Sequence, residues 1–276
     1  MSNDISSYEN KMKKGHGQGK GTEYIPWTTV RDFASHGLSG RVMGWKTGRI
    51  HHFLSQLERS YFYMLEWSAM IKDIREKYPL PLERTFDLSE RLGIKHPADK
   101  KTKELAVMTT DFVIDFVQNG DICMIARSVI PSNQLGAKRT IERLELERMY
   151  WVERDIDWGI VTEREIPSGM VQNIEWVYAS HDIAGSPFQL SPELLTQLEP
   201  QLFNSVTDPY GIPLAKAALQ IDQTVGLEVG SSLWAVQHYI ATKLWVVDMT
   251  ERIEPSKPLF VQRAEHFELL GKEQIV

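Results

Sequence analysis

Two apolar, β-branched runs stand either side of a four-residue turn: AVMTTDFVIDFV, then QNGD, then ICMIARSVIP. Alternating strand-formers around an Asn-Gly pair specify an antiparallel hairpin. Directly after it, KRTIERLELERMYWVERD carries apolar residues and opposite charges three and four apart, the pattern of a helix. DWGIVTERE follows as another short strand. Upstream, IKDIREKYPLP reads as a strand entering a proline-marked turn. Strand, hairpin, helix and strand in this order predict a mixed α/β layer with helices against its sheet.

The hairpin also carries chemistry. Asp111 lies on its first strand, and Glu58 ends the run HHFLSQLE upstream. Apolar spacing over residues 51–69 predicts an amphipathic helix that sets Glu58 beside its buried face. Hard carboxylate oxygens suit Mg²⁺, and metal-assisted phosphodiester cleavage usually adds a cation beside them. Taken singly, each acid reads as an ordinary solvated carboxylate. On the hairpin's second strand, Ser128 and Ile130 occupy the places where a nuclease strand sets a polar ligand and a lysine two residues apart. Arg127 and Lys138 are the substitute cations nearest in sequence. Strand alternation turns Arg127 away from Ile130.

Other regions frame this centre. Residues 1–50 form a basic, Gly-rich arm that contains KMKKGHGQGKG, too poor in apolar residues to pack alone. Its first 14 residues read as a solvated tail. Lys20, Arg31 and Arg49, with His51 and His52 at the polar start of the expected helix, are the candidate DNA contacts, since cations neutralise phosphates. Residues 84–104 read as a loop or short charged helix, with His96 in a loop. VQNIEWVYAS predicts a helix closing a domain that spans 51–180. In residues 181–276, Ser191-Pro192-Glu193 marks a helix start. Two more helices flank a Gly-containing break, and TERIEPSKPLFVQR suits a two-stranded wing, so this part is expected to be winged-helix-like. Such domains often read DNA through their second helix. Here that helix has few basic residues, so Trp234, Tyr239 and Trp245 read as core or as a protein-binding surface.

Composition removes several classes. Net charge is -6 over 276 residues, so bulk electrostatics do not mark the chain as a nucleic-acid binder. A single cysteine, Cys123, excludes an internal disulfide and a cysteine-rich zinc site. No run reaches the roughly 20 apolar residues of a membrane span, and no signal-peptide core opens the chain. A cytoplasmic protein with no membrane partner is expected.

The runs GHGQGKGTEYIPW, KTGRIHHFLSQLE, IREKYPL, GIKHP, TTDFVID, RTIERLELERMYW and NIEWVY, in this order, resemble TnsA, the endonuclease subunit of Tn-seven-like transposons. The resemblance implies a restriction-endonuclease-like fold and a C-terminal winged-helix domain. It also implies Mg²⁺-dependent cutting of the 5′ strands at double-stranded transposon ends. Implied partners are a TnsB-like transposase, which cuts and joins the 3′ strands, and a TnsC-like ATPase regulator, contacted by the C-terminal part. The family's metal-binding glutamate falls on Glu58 and its aspartate on Asp111. Its third segment, Gln-Val-Lys-Pro, is here Ser128-Val129-Ile130-Pro131, with Ala126, Val129 and Pro131 keeping the register. Serine thus replaces the glutamine and isoleucine the lysine, and the expectation is a pseudo-nuclease whose cleavage is lost or weak. One alternative is an active endonuclease with a substitute cation such as Arg127. Another is a metal-free structural adaptor of the transpososome.

Overall fold

The computed structural model describes residues 2–32, 40–99 and 103–264. The chain divides between Ile166 and Pro167 into two compact units.

The first unit is built on the mixed sheet. Strands β3 (Ile71–Pro79), β4 (Thr109–Gln118), β5 (Asp121–Val129) and β6 (Asp157–Val161) lie in that order, the first three antiparallel and β6 parallel to β5. Parallel pairing needs a crossover, and helix α4 (Lys138–Val152) supplies it. At the hairpin tip Asn119 and Gly120 both take left-handed backbone (φ 54° and 91°), the geometry expected of an Asn-Gly turn. The hairpin, α4 and the strands read at either end of this sheet are as the sequence predicts.

Buried side chains of β4, β5, α4 and helix α3 (Leu82–Leu92) form one core, with Leu88, Val113, Ala126, Leu146 and Trp151 at its centre. Residues 82–92 are therefore a helix, ended by Gly93 at φ 63°. Phe53, Phe62 and Phe112 make a second aromatic cluster, which packs helix α2 (Gln56–Trp67) beside the sheet.

Two expectations about the N-terminal region change. Residues 51–53 are not helical. They belong to strand β2 (Ile50–Phe53), paired with β1 (Gly40–Met43), and α2 starts only at Gln56. The cause is a cap, because Ser55 Oγ accepts a hydrogen bond from the Glu58 N–H at 3.1 Å. Residues 1–14 are not a bare tail either, since Ser2–Lys13 form helix α1. Lys11 Nζ donates to the Trp27 carbonyl at 2.9 Å, and the Tyr8 ring lies 5.4 Å from that of Trp27. Trp27 and Tyr24 are themselves buried, which gives the glycine-rich stretch an apolar anchor.

The second unit holds α5 (Ser168–Tyr178), α6 (Pro192–Val206), α7 (Leu214–Val225) and α8 (Ser231–Ala241), then the short pair β7 (Trp245–Val246) and β8 (Gln262–Arg263). Ser191 caps α6 as its sequence predicts, accepting from Leu194 N at 3.2 Å. Asp222, buried near the end of α7, accepts from Gly230 N and Ser232 N at 2.8 Å each and so caps α8. Of the run read as a wing, only Gln262–Arg263 pairs, and its partner precedes the run. Pro255 and Pro258 fall within it and cannot donate to a ladder. Its backbone binds instead to the start of α7, Leu214 N to Lys257 O and Ala215 N to Pro255 O. Among the described residues no helix is long and apolar enough to cross a membrane.

Candidate active site

Ser55 and Glu58 form a reciprocal cap. Glu58 Oε1 accepts from Ser55 Oγ at 3.0 Å, and Oε2 accepts from Leu54 N at 3.1 Å. The helix start thus fixes the carboxylate, and burial covers it. Asp111 stands near the start of β4, and its Oδ2 accepts from Val129 N on β5 at 2.8 Å.

Between the two acids lies a residue that sequence reasoning did not single out. Lys77 Nζ is 3.0 Å from Glu58 Oε2 and 2.7 Å from Asp111 Oδ1, with its own side chain 6% exposed. Register explains the meeting. Glu76 pairs with Phe112 and Tyr78 with Thr110, so Lys77 sits opposite Asp111 across β3 and β4. Burial would lower the Lys77 pKa, but the charges of Asp111 and Glu58 outweigh it and hold the ammonium above its ordinary value. The available signal was modest: a lysine inside an otherwise buried strand, which needs an anion for company.

The third segment turns its polar group elsewhere. Ser128 Oγ donates to Glu147 Oε1 on α4 at 2.6 Å, and Trp158 Nε1 donates to both. Glu147 is fully enclosed. Burial first, then the nearby Asp111 charge, push its carboxyl up to about 7. Ile130 is buried and supplies no charge. Neither substitute cation named from sequence reaches the site. Arg127 pairs with Asp157 at 2.6 Å beside β6, and Lys138 extends into solvent 3.9 Å from Glu142.

The candidate DNA contacts divide. Lys20 is largely exposed, though its Nζ reaches Asp115 at 2.6 Å, and Arg31 is exposed. Arg49 and His51 are buried on Glu76. Arg49 Nη2 lies 2.5 Å and His51 Nδ1 2.8 Å from its carboxylate. His51 is fully enclosed and Arg49 nearly so. His52 is half-buried, and burial lowers its pKa. His96 is buried too, its Nε2 2.9 Å from Thr85 Oγ1.

Two hard carboxylate oxygens that converge on one cation suit a divalent metal, so Glu58 and Asp111 fit the holding of Mg²⁺. Among the described residues no three His, Cys, Asp or Glu side chains gather for a metal. An ion at this pair would complete its shell with water and phosphate oxygens, as Mg²⁺ commonly does.

The family model described as TnsA-like endonuclease N terminal matches residues 68–163, and that described as TnsA endonuclease C terminal matches 165–249. The chain belongs to the TnsA family. It is 40% identical over 223 residues to the transposon Tn7 transposition protein TnsA of Escherichia coli, covering 81% of this chain and 78% of that protein. The mixed sheet flanked by helices accords with a nuclease-like fold, and the family places the chain among endonuclease subunits of Tn7-like transposases.

Proposed function

We propose that this TnsA-family chain cuts the 5′ strands at transposon ends, beside a TnsB-like transposase and under a TnsC-like ATPase. The convergence of Glu58 and Asp111 carries the reading. Acids far apart in sequence are brought to within about 3 Å of one cation, an arrangement costly to build unless the charges are used. A bound Mg²⁺ would activate water and stabilise the charge on the scissile phosphate. The chain's own part is to hold that ion with Glu58 and Asp111, and to keep the Asp111 carboxylate aligned through Val129 N. DNA would be met through Lys20 and Arg31, with Arg49 and His51 serving the fold. The second unit, in which α7 and α8 are followed by a short strand pair, is read as the winged-helix-like module that docks the regulator.

The opposing reading, lost cleavage, rests on Ser128 and Ile130. An ammonium already at the carboxylates weakens its main ground, the missing cation. The test is a supercoiled plasmid carrying both transposon ends, incubated with this chain, its partner proteins and Mg²⁺ or Mn²⁺. Nicks at the 5′ ends are expected; their absence in both metals sinks the reading.

A further inference from the structure

We propose that Lys77 is the catalytic cation of this site, supplied from β3 in place of the family's lysine, whose position, just past the end of β5, is Ile130. The proposal rests on the endonuclease reading above and names the residue that completes it.

Three observations carry it. The first is position. β4 lies between β3 and β5, so Asp111 has a neighbour on each side. Continuing the β4–β5 register from Phe112 and Arg127 by one step sets Ser128 opposite Asp111. Lys77 is opposite the same aspartate on the other flank. Lys77 therefore reaches Asp111 from the β3 side, across β4 from Ser128, which lies two residues before the position of the family's lysine.

The second observation is backbone conformation. Lys77 has φ +52°, left-handed backbone within a strand, where a long side chain rarely sits. Such a conformation is unfavourable for a long side chain and persists where the surroundings impose it. Here the Trp27 N–H donates to the Lys77 carbonyl at 3.1 Å, so a residue of the N-terminal region holds the distortion. Backbone strain held at the residue that bridges two site carboxylates accords with a functional position.

The third is that the other cations considered are committed elsewhere, Arg127 to Asp157 and Lys138 to solvent and Glu142. Asp111, 19% exposed in its side chain, is the most open of the three groups and gives the site its outlet.

The chemistry is electrostatic. Water adds its oxygen to phosphorus, and the bond from phosphorus to the leaving sugar oxygen breaks. One water proton ends on that oxygen as a hydroxyl and the other passes to bulk water, leaving a phosphate monoester. Lys77 keeps its own proton throughout and faces the negative charge that builds on the phosphate oxygens.

The alternative is a lysine that merely balances two buried acids, and the variant Lys77→Met separates the two. A balancing lysine can be replaced by a divalent ion, so cutting would survive; a catalytic one cannot. Three quantities are measured on the full chain: Mn²⁺ binding by electron paramagnetic resonance, affinity for a transposon-end duplex, and 5′ nicking with the partner proteins. We expect Lys77→Met to bind Mn²⁺ at least as tightly as wild type, to keep its DNA affinity, and to nick about a hundredfold or more slowly. Adding Ile130→Lys to that variant should restore much of the lost rate. Lys77→Gln serves the same purpose if the methionine variant does not fold. Nicking by a neutral variant at close to the wild-type rate overturns the inference and leaves the endonuclease reading intact. An inert wild type that Ile130→Lys alone brings to life overturns the inference too, together with the reading that the natural chain cuts. If wild type and Ile130→Lys both fail to nick, the endonuclease reading falls with it.

Discussion

Ser128 Oγ donates to Glu147 Oε1 at 2.6 Å inside the core, so the residue at the family's glutamine position spends its hydrogen on a buried helix acid. Glu147 is itself beside the site, since the Asp111 charge helps raise its pKa. The Ser128 hydroxyl therefore serves α4 packing first, and the proposed metal-holding role rests on Glu58 and Asp111 alone.

A pH signature follows from Glu147. Its carboxyl titrates at about 7 in the folded chain and near 4.5 when unfolded. Between those values the folded state holds the extra proton, so stability falls as pH rises through the window and levels off above it. The full loss is roughly 3 kcal/mol. Glu147→Gln keeps an acceptor for Ser128 and removes the titration. It should show a flatter profile and exceed wild type at the alkaline end. Urea unfolding at several pH values across the window checks this; parallel profiles would refute it.

Glu76 behaves in the opposite sense. Burial alone would raise its pKa, but His51 and Arg49 outweigh it and hold the carboxyl at about 2. Its stabilisation is therefore present above the unfolded value of 4.5 and lost as pH falls toward 2. Glu76→Ala strands Arg49 in the core, at a cost of about 3–5 kcal/mol. Thermal unfolding of the variant should show a large drop, and an unchanged midpoint would contradict the network.

Removing either acid of the proposed metal pair should abolish cutting while the protein still assembles. Asp111→Asn and Glu58→Gln are expected to slow 5′ nicking about a hundredfold or more. In the family's scheme, 3′ joining without 5′ cutting leaves the donor attached. Long-read sequencing should then find cointegrates from these variants and simple insertions from wild type. Equal product mixtures would mean that these acids do not cut.

Basic residues should separate by exposure. Losing Lys20 or Arg31 is expected to lower end-DNA affinity and reduce the salt slope by about 0.9 for each phosphate contact removed. Arg49→Ala should act on stability instead, because its guanidinium is held by Glu76. Salt titrations of binding, alongside melting curves, distinguish the two. An equal slope change for all three would show that Arg49 reaches the DNA.

Local pattern was enough for the hairpin, α4, β6 and the Ser191 cap, because turn chemistry, strand alternation and helical spacing act over a few neighbouring residues. Family segments pointed to Glu58 and Asp111 before any geometry was known. The start of α2 was also legible in Ser55 and Glu58, whose spacing is that of a capping box, but apolar periodicity drew the helix back over His51–Phe53. Other features depended on distant partners. Arg49 and His51 read as basic surface until Glu76, on another strand, drew them into the core. Lys77 came beside the two acids only when β3 paired with β4, with its carbonyl accepting from the Trp27 N–H. Sequence spacing records which residues are neighbours along the chain. A charge's function depends on which opposite charge folding leaves beside it with little water between, and strand register decides that.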